Sequence, residues 1–224
     1  MPHVVELDWL YQYRIISSEY PPINFFERLV DPALMDELYY IESLTNDRLR
    51  EEVGDISIVP VEDRITGQGA SAVMAAFTHI GFPSRFSDGS YGIYYAAKDM
   101  ETAFAESIHS RTFFLSSTRE DAGEIDMRVY IGEVVKPLHD VRGKRYDDLH
   151  LQDNHVPAQV FGQKMKENNS WGIVYRSARC PAGECIAALR PPTITIPRQG
   201  SHYSYVWDGD RITRVYQKKL KMNL

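Results

Sequence analysis

The sequence predicts a single α+β domain, because helical patterns dominate its first half and strand patterns dominate its second half. Residues 31–52 repeat leucine at a helical period, and residues 72–80 form a second apolar helix that Gly81 and Pro83 end. The later strand patterns lie at 127–135, 171–178, 184–191 and 201–217. A chain of 224 residues that is 43% hydrophobic suits one domain or one domain with an appended segment.

The N-terminal half alternates short strands with helices. Residues 9–16 (WLYQYRII) predict a strand that the segment SSEYPP breaks, and Asp31 followed by Pro32 then marks a helix start. Residues 56–61 (ISIVPV) predict a short extended stretch. The loop TGQGAS at 66–71 precedes the second helix, and its glycines predict either a plain turn or a backbone cradle for phosphate.

The centre of the chain predicts a strand, a helix and a second strand in succession. GIYYAA at 92–97 is the first strand, Asp99 caps a helix running to about His109, and RTFFLSS at 111–117 is predicted as the next strand. Residues 137–156 are polar and predict a loop. A helix is predicted at 157–168, and Asp208–Gly209 predicts a tight hairpin turn in the C-terminal strand pair.

Composition excludes several classes of function. The net charge is −6 and the pI is near 5.7, without a basic stripe, so nucleic acid is not expected as a direct partner. No apolar run approaches the roughly 18 residues of a membrane span, and the N-terminus lacks a signal pattern, so we expect a cytoplasmic protein. Cys180 and Cys185 form no disulfide framework, and no Cys or His spacing predicts a metal site.

The helix after Asp99 carries two separate rows of side chains. One row is apolar and comprises Met100, Phe104 and Ile108, and the other comprises Thr102, Glu106 and His109. Periodicity alone places Glu106 in solvent. Because the preceding strand leads directly into this helix, the Glu106 carboxylate can instead point across the strand end into a cleft.

Four separated segments together resemble the RES domain family: RFSDGSYGIYYAAKDMETAFAES (85–107), VYRSAR (174–179), ECIAALRPP (184–192) and YRI (13–15). The family is named for an Arg, a Glu and a Ser, which correspond to Arg85, Glu106 and Ser177, with Tyr95 between the first two and Arg14 in the opening strand. The resemblance covers roughly residues 60–200 and the first strand. The chain departs from the family pattern beside Arg85 and Ser177, and residues 20–60 resemble an insertion.

The resemblance implies a fold, a substrate and a partner. The fold would be an ADP-ribosyltransferase-like split β-sheet core with flanking helices, with an N-terminal strand and helical extension at 1–60 and the catalytic core at 61–217. Family members are toxins that consume NAD, so NAD would be the substrate and no cofactor would be needed. The partner would be a cognate Xre-type helix-turn-helix antitoxin. Residues 31–52 would pack on the core, or else dock the antitoxin or a second copy of the chain.

The resemblance also assigns roles to the five residues. Cleavage of the nicotinamide–ribose bond develops positive charge on the ribose, which the Glu106 carboxylate would stabilise. Arg85 would hold the NAD pyrophosphate, with Arg14 as a second phosphate candidate. Tyr95 would stack on nicotinamide, and Ser177 would donate a hydrogen bond to the ribose or the carboxamide.

Two other functions remain open from the sequence. The chain could transfer ADP-ribose to a protein, although Phe104 occupies the position two residues before Glu106 where transferases often have a polar side chain. It could also be a non-catalytic binding module in which Arg85 and Glu106 form a surface ion pair.

Overall fold

The structure, a computed structural model, describes residues 1–18 and 54–219 together with the isolated positions 34, 37, 40, 221 and 222. Apart from three of those positions, the helix predicted at 31–52 lies outside the described residues. Within the described part, three α-helices and a large β-sheet confirm the predicted α+β class.

The described strands form one sheet. They are β1 (Val4–Val5), β2 (Gln12–Ser17), β3 (Tyr94–Ala97), β4 (Gly123–Gly132), β5 (Leu138–Asp140), β6 (Gly172–Arg176), β7 (Glu184–Ala188), β8 (Arg198–Trp207) and β9 (Ile212–Lys218). Their spatial order is β1-β5-β6-β7-β3-β2-β4-β8-β9. Strands β5 and β6 run parallel, and the other neighbouring pairs run antiparallel.

The sheet nearly separates at its centre. Strands β2 and β3 share a single registered pair, Tyr13 with Ala97, whereas β3 pairs with β7 at four positions and β2 pairs with β4 at six. The sheet therefore consists of a part containing β1, β3, β5, β6 and β7 and a part containing β2, β4, β8 and β9. This arrangement matches the split β-sheet core that the family resemblance implies.

The helices are α1 (Ser71–Thr78), α2 (Met100–Thr118) and α3 (Val156–Glu167). The Asp99 side chain caps α2 by accepting the Thr102 N–H at 2.8 Å, and Arg119 ends the helix in the left-handed region with φ of 56°. The predicted strand at 111–117 is wrong, because these residues continue α2. No glycine or proline interrupts that stretch, so the helical hydrogen bonds prevail over its β-branched and aromatic propensity.

Strand side chains alternate between two hydrophobic cores. On one face Tyr94, Val174 and Ile186 pack with α1, and on the other face Ile173, Tyr175 and Ala187 pack with α3.

Three other predictions of secondary structure are corrected locally. The stretch predicted as extended at 56–61 contains 3-10 turns at Ile56–Ile58 and Val61–Asp63, the predicted loop 137–156 contains β5, and the C-terminal hairpin turns through four residues at 208–211.

Candidate active site

The loop that carries Arg85 is fixed by hydrogen bonds on both sides of that residue. The Tyr95 hydroxyl accepts the Phe86 N–H at 3.0 Å and is 2.9 Å from Ser84 Oγ. The Tyr91 hydroxyl donates to the Phe86 carbonyl at 2.5 Å. Burial raises the pKa of Tyr95 to about 12, so its hydroxyl stays protonated at neutral pH. Tyr95, predicted to stack on nicotinamide, thus also positions the Arg85 loop.

Helix α3 packs directly against the same loop. Gln159 Nε2 donates to the Ser84 carbonyl at 3.0 Å. At Gly162 an added Cβ would lie 2.0 Å from the Phe86 carbonyl oxygen, so only glycine permits this approach. The loop is therefore clamped between β3 and α3.

The Arg85 guanidinium is anchored by neutral groups. Its Nη1 donates to the Leu149 carbonyl at 3.1 Å and to the Leu151 carbonyl at 3.0 Å. Nε and Nη2 make no hydrogen bond to the described residues. Arg85 therefore keeps an uncompensated positive charge and one free edge, formed by Nε and Nη2, for an anionic ligand.

Glu106 lies in the second turn of α2 and is partly buried, not fully exposed as periodicity alone predicts. Its Oε1 accepts a hydrogen bond from Ser177 Oγ at 2.5 Å. The close approach between α2 and the turn after β6 requires glycine, because a Cβ on Gly183 would lie 2.6 Å from Thr102 Oγ1. Two of the residues named by the sequence, 71 positions apart, are thus in direct contact.

The hydrogen-bonding capacity of Ser177 is fully used. Its Oγ accepts the backbone N–H groups of Arg179 at 3.0 Å and Cys180 at 2.9 Å while donating to Glu106. A hydroxyl has one proton and two lone pairs, so none remains for a ligand. The structure directs Ser177 to the carboxylate, whereas the sequence resemblance assigned it to the ribose or the carboxamide.

Glu106 and Arg85 both lie near His109, Tyr175 and Cys185 without pairing with each other. No ion pair joins them among the described residues, yet both charges act on the pKa of His109, of Tyr175 and of Cys185. Burial is the main cause of each shift; it lowers the pKa of His109 and raises those of Tyr175 and Cys185. The surface ion pair expected of a non-catalytic module is therefore not formed.

Arg14 lies at the split of the sheet. Its Nη1 donates to the Tyr95 carbonyl at 2.9 Å, and its guanidinium lies 4.5 Å from the centre of the Tyr94 ring. Its buried Nε has no hydrogen-bond partner among the described residues, and burial lowers the pKa of the Arg14 guanidinium. Arg14 therefore joins the two parts of the sheet and contacts the strand that bears Tyr95.

Sequence reasoning missed the segment 149–155, called here the strap. Its carbonyl groups hold Arg85, and His150 just inside it supports the end of β6. His150 Nδ1 lies 2.7 Å from the Tyr146 carbonyl, and its Nε2 accepts the Arg176 N–H at 3.1 Å, which assigns the proton to Nδ1. Backbone acceptors carry no residue-type signal, so only the spacing of the histidines could have drawn attention to this segment.

A cleft of about 540 Å³ opens beside the Ser177 turn. It shares Ser177 with the candidate site but is not lined by Arg85, Tyr95 or Glu106. Its other lining residues are Arg142, His150, Arg176, Pro181, Ala182 and Glu184.

Across the described ranges, no group of three or more His, Cys, Asp and Glu side chains is arranged to hold a metal ion. In the same ranges, no helix has the length and apolarity of a transmembrane span.

These features define a mixed sheet with a serine-bound carboxylate, Glu106, and a loop arginine, Arg85, that is held by carbonyl groups. The RES domain profile matches residues 62–208, more than half of the chain, and the protein therefore belongs to the RES domain family. The uncharacterized protein y4oC of Sinorhizobium fredii (strain NBRC 101917 / NGR234) is 33% identical over 207 residues, covering 91% of this chain and 86% of that protein.

One similar solved structure is a chain from the crystal structure of the M. tuberculosis MbcT-MbcA toxin-antitoxin complex. It is 15% identical, with a TM-score of 0.39. The match covers 57% of this chain and 73% of that one.

Proposed function

We propose that this protein is an NAD-degrading enzyme that cleaves the nicotinamide–ribose bond and acts as the toxin of a toxin–antitoxin pair. Membership of the RES domain family supports the toxin class. The observation that carries the chemistry is the Glu106 carboxylate, which accepts a hydrogen bond from Ser177 at 2.5 Å. The half-free Arg85 guanidinium lies near enough to act on the same imidazole, His109, as Glu106 does.

The reaction requires a carboxylate close to the sugar. As the C1′–N bond breaks, its electron pair leaves with neutral nicotinamide, and positive charge develops at C1′ and the ring oxygen. Because this charge develops only as the bond breaks, a nearby carboxylate stabilises the transition state more than the ground state, and one already fixed by a donor needs no reorganisation to do so. Water or phosphate then adds to C1′; water loses a proton in doing so.

Arg85 would bind the diphosphate of NAD. Its planar guanidinium presents Nε and Nη2 as two parallel donors, which suit phosphate oxygens. The rigid loop between Tyr95 and α3 supports this role, because a preorganised donor costs little further ordering on binding. Tyr95 is left with a ring face as its contribution to nicotinamide binding, because its hydroxyl is already hydrogen-bonded.

One contact favours a small acceptor over a protein acceptor. Phe104, two residues before Glu106, packs edge-on against Tyr203 with ring centres 4.9 Å apart and an interplanar angle of 83°. It also lies 6.4 Å from the Tyr205 ring centre. The position where transferases often orient an attacking side chain is thus part of an aromatic cluster.

The test is nicotinamide release from NAD by purified protein, with and without phosphate. We expect Glu106→Gln to lower the rate by about 100- to 1,000-fold, because an electrostatic stabiliser of this kind contributes about 2.7–4 kcal/mol. Glu124→Gln is the matched control, since Glu124 accepts a hydrogen bond from Ser204 at 2.6 Å outside the candidate site. Wild-type rates from the Glu106 variant would refute the assignment.

Incubation of labelled NAD with a cell lysate separates degradation from transfer. Free nicotinamide without a labelled protein band supports degradation, and an enzyme-dependent labelled band supports ADP-ribosyltransfer. Growth arrest on expression in the cytoplasm, reversed by co-expression of a neighbouring helix-turn-helix protein of the Xre type, would establish the toxin and its partner. Growth unaffected by wild-type protein that cleaves NAD would refute the toxin role.

A further inference from the structure

The strap holds a second arginine beside Arg85. Arg179 Nη2 donates to the Gln152 carbonyl at 3.0 Å, and Gln152 Nε2 donates back to the Ala178 carbonyl at 2.9 Å. The strap therefore binds both guanidinium groups through carbonyl oxygens only. Neither arginine has a carboxylate partner within salt-bridge distance among the described residues.

A buried imidazole atom lies in the same cluster. His155 ends the strap, and its buried Nε2 has no hydrogen-bond partner in the part of the chain that the structure describes. The charges that act on His155 come from Arg85, Arg179, His109 and the acid Asp153. A buried polar atom without a partner is costly, so this one is best explained as a contact that a ligand completes.

We propose that Arg85, Arg179 and His155 form a diphosphate-binding site, in which Arg179 is the second guanidinium ligand and His155 Nε2 is a further hydrogen-bonding contact. The proposal rests on the proposed function in taking the diphosphate to be that of NAD. Two adjacent phosphate groups carry about two negative charges, which two guanidinium groups balance. One guanidinium per phosphate also fixes the orientation of the dinucleotide relative to Glu106.

Other arginines around the sheet are already committed. Arg142 binds Asp140 through Nε and Nη2 and binds Glu184 through Nη1. Arg176 Nη2 pairs with Asp147 at 2.5 Å. These guanidinium groups are neutralised by carboxylates, whereas Arg85 and Arg179 are held by carbonyl groups. The difference selects Arg179, which lies two residues after Ser177, as the partner of Arg85.

The test compares ADP with adenosine in calorimetric titrations, because the two ligands differ only in the diphosphate. We expect Arg179→Gln to weaken ADP binding by about 10- to 100-fold and to leave adenosine binding unchanged. Arg179→Lys keeps the charge without the planar fork, and an intermediate loss is expected. Arg145→Gln removes an equal charge from an exposed arginine and should bind ADP as the wild type does.

The Arg179 variants should fold, because the Arg179 side chain makes one hydrogen bond to the described residues and its backbone N–H retains its bond to Ser177. His155→Phe should weaken ADP binding severalfold. The proposal is overturned if Arg179→Gln binds ADP within twofold of wild type, if adenosine binding falls equally, or if wild type binds no ADP. Failure of the proposed function gives a different result: no nicotinamide is released, while the ADP affinities still differ between wild type and Arg179→Gln.

Discussion

Arg190 and Arg85 show two ways in which this fold uses the same side chain. Arg190 donates to both oxygens of Asp63, at 2.7 and 2.6 Å, and its guanidinium lies 4.0 Å from the centre of the Trp171 ring. The Asp63 side chain is only 7% exposed. Arg85 instead contacts carbonyl groups and retains its net charge. A neutralised, stacked arginine stabilises the fold, whereas an uncompensated one is available to a ligand.

Two serine–glutamate pairs show a similar contrast. Ser204 Oγ donates to Glu124 at 2.6 Å between β8 and β4. Among the described residues, this is the only hydrogen bond of the Ser204 hydroxyl. Ser177 Oγ donates to Glu106 at 2.5 Å and is itself fixed by two backbone N–H groups. The first pair joins two strands, and the second fixes the direction of a carboxylate. Substitutions in the two kinds of cluster should therefore affect stability and activity separately.

The largest effect on stability should come from Asp63→Ala. Removing the carboxylate leaves Arg190 partly buried without its partner, and we expect the free energy of unfolding to fall by about 3 kcal/mol in urea titrations. Nicotinamide release per folded molecule should not change. Asp126→Ala is the control, since its pair with Lys218 is exposed and should contribute less than about 1 kcal/mol. Equal losses in the two variants would contradict the comparison.

Ser177→Ala should lower activity, whereas Asp63→Ala should lower stability. Loss of a hydrogen bond to a charged carboxylate, worth about 1.5–3 kcal/mol, should lower kcat for nicotinamide release by about 10- to 100-fold. KM should stay unchanged, because Ser177 has no capacity left to bind substrate. Ser204→Ala should keep the wild-type kcat. A raised KM with an unchanged kcat would instead support the direct ribose or carboxamide contact predicted from the sequence.

Gly162→Ala should weaken the clamp on the Arg85 loop. The new Cβ would meet the Phe86 carbonyl oxygen at 2.0 Å, so α3 or the loop must move, at a cost of about 1–3 kcal/mol of unfolding free energy. ADP affinity should fall with it, because the moved loop carries Arg85. Gly143→Ala is the control, since an added Cβ there lies within 4 Å of no described residue. Unchanged ADP binding in Gly162→Ala would show that the clamp does not position Arg85.

The sequence predicted the fold class and the family better than the contacts around the candidate site residues. The α+β class and most strands followed from alternation, and the order of Arg85, Tyr95, Glu106 and Ser177 followed from the family resemblance. Helical periodicity did not predict the buried face of α2. Thr102 and Ala103 are buried, while the row containing Phe104 is partly exposed. Small residues are buried there because the Gly183 turn approaches closely, a tertiary contact that helical periodicity cannot report.

Contacts through the backbone were also invisible in the sequence. The strap holds both arginines by its carbonyl groups, and any residue type offers the same acceptor. The contacts of the Ser177 side chain were not predicted for a related reason. Its hydrogen bonds to two N–H groups depend on the conformation of the turn that follows it. A lone serine in the sequence does not indicate that conformation.

The smallest effect we predict is a pH dependence of stability that involves His150. Burial lowers the pKa of this imidazole, which is neutral in the fold because its Nε2 accepts the Arg176 N–H. Burial likewise lowers the pKa values of His109, His139 and His155. Below the ordinary histidine pKa of about 6.5 the unfolded chain binds more protons than the folded one, so the free energy of unfolding should fall as pH decreases.

Urea titrations at pH 7.5 and pH 5.5 measure this loss. His150→Gln removes the titrating group but retains an amide donor and acceptor for Tyr146 and Arg176, so its stability should fall less between the two pH values. The difference between the wild-type and variant slopes isolates His150 from the other three histidines. Identical changes of unfolding free energy with pH would mean that His150 binds its proton equally well in the folded and unfolded chains. The neutral imidazole that accepts the Arg176 N–H would then be refuted.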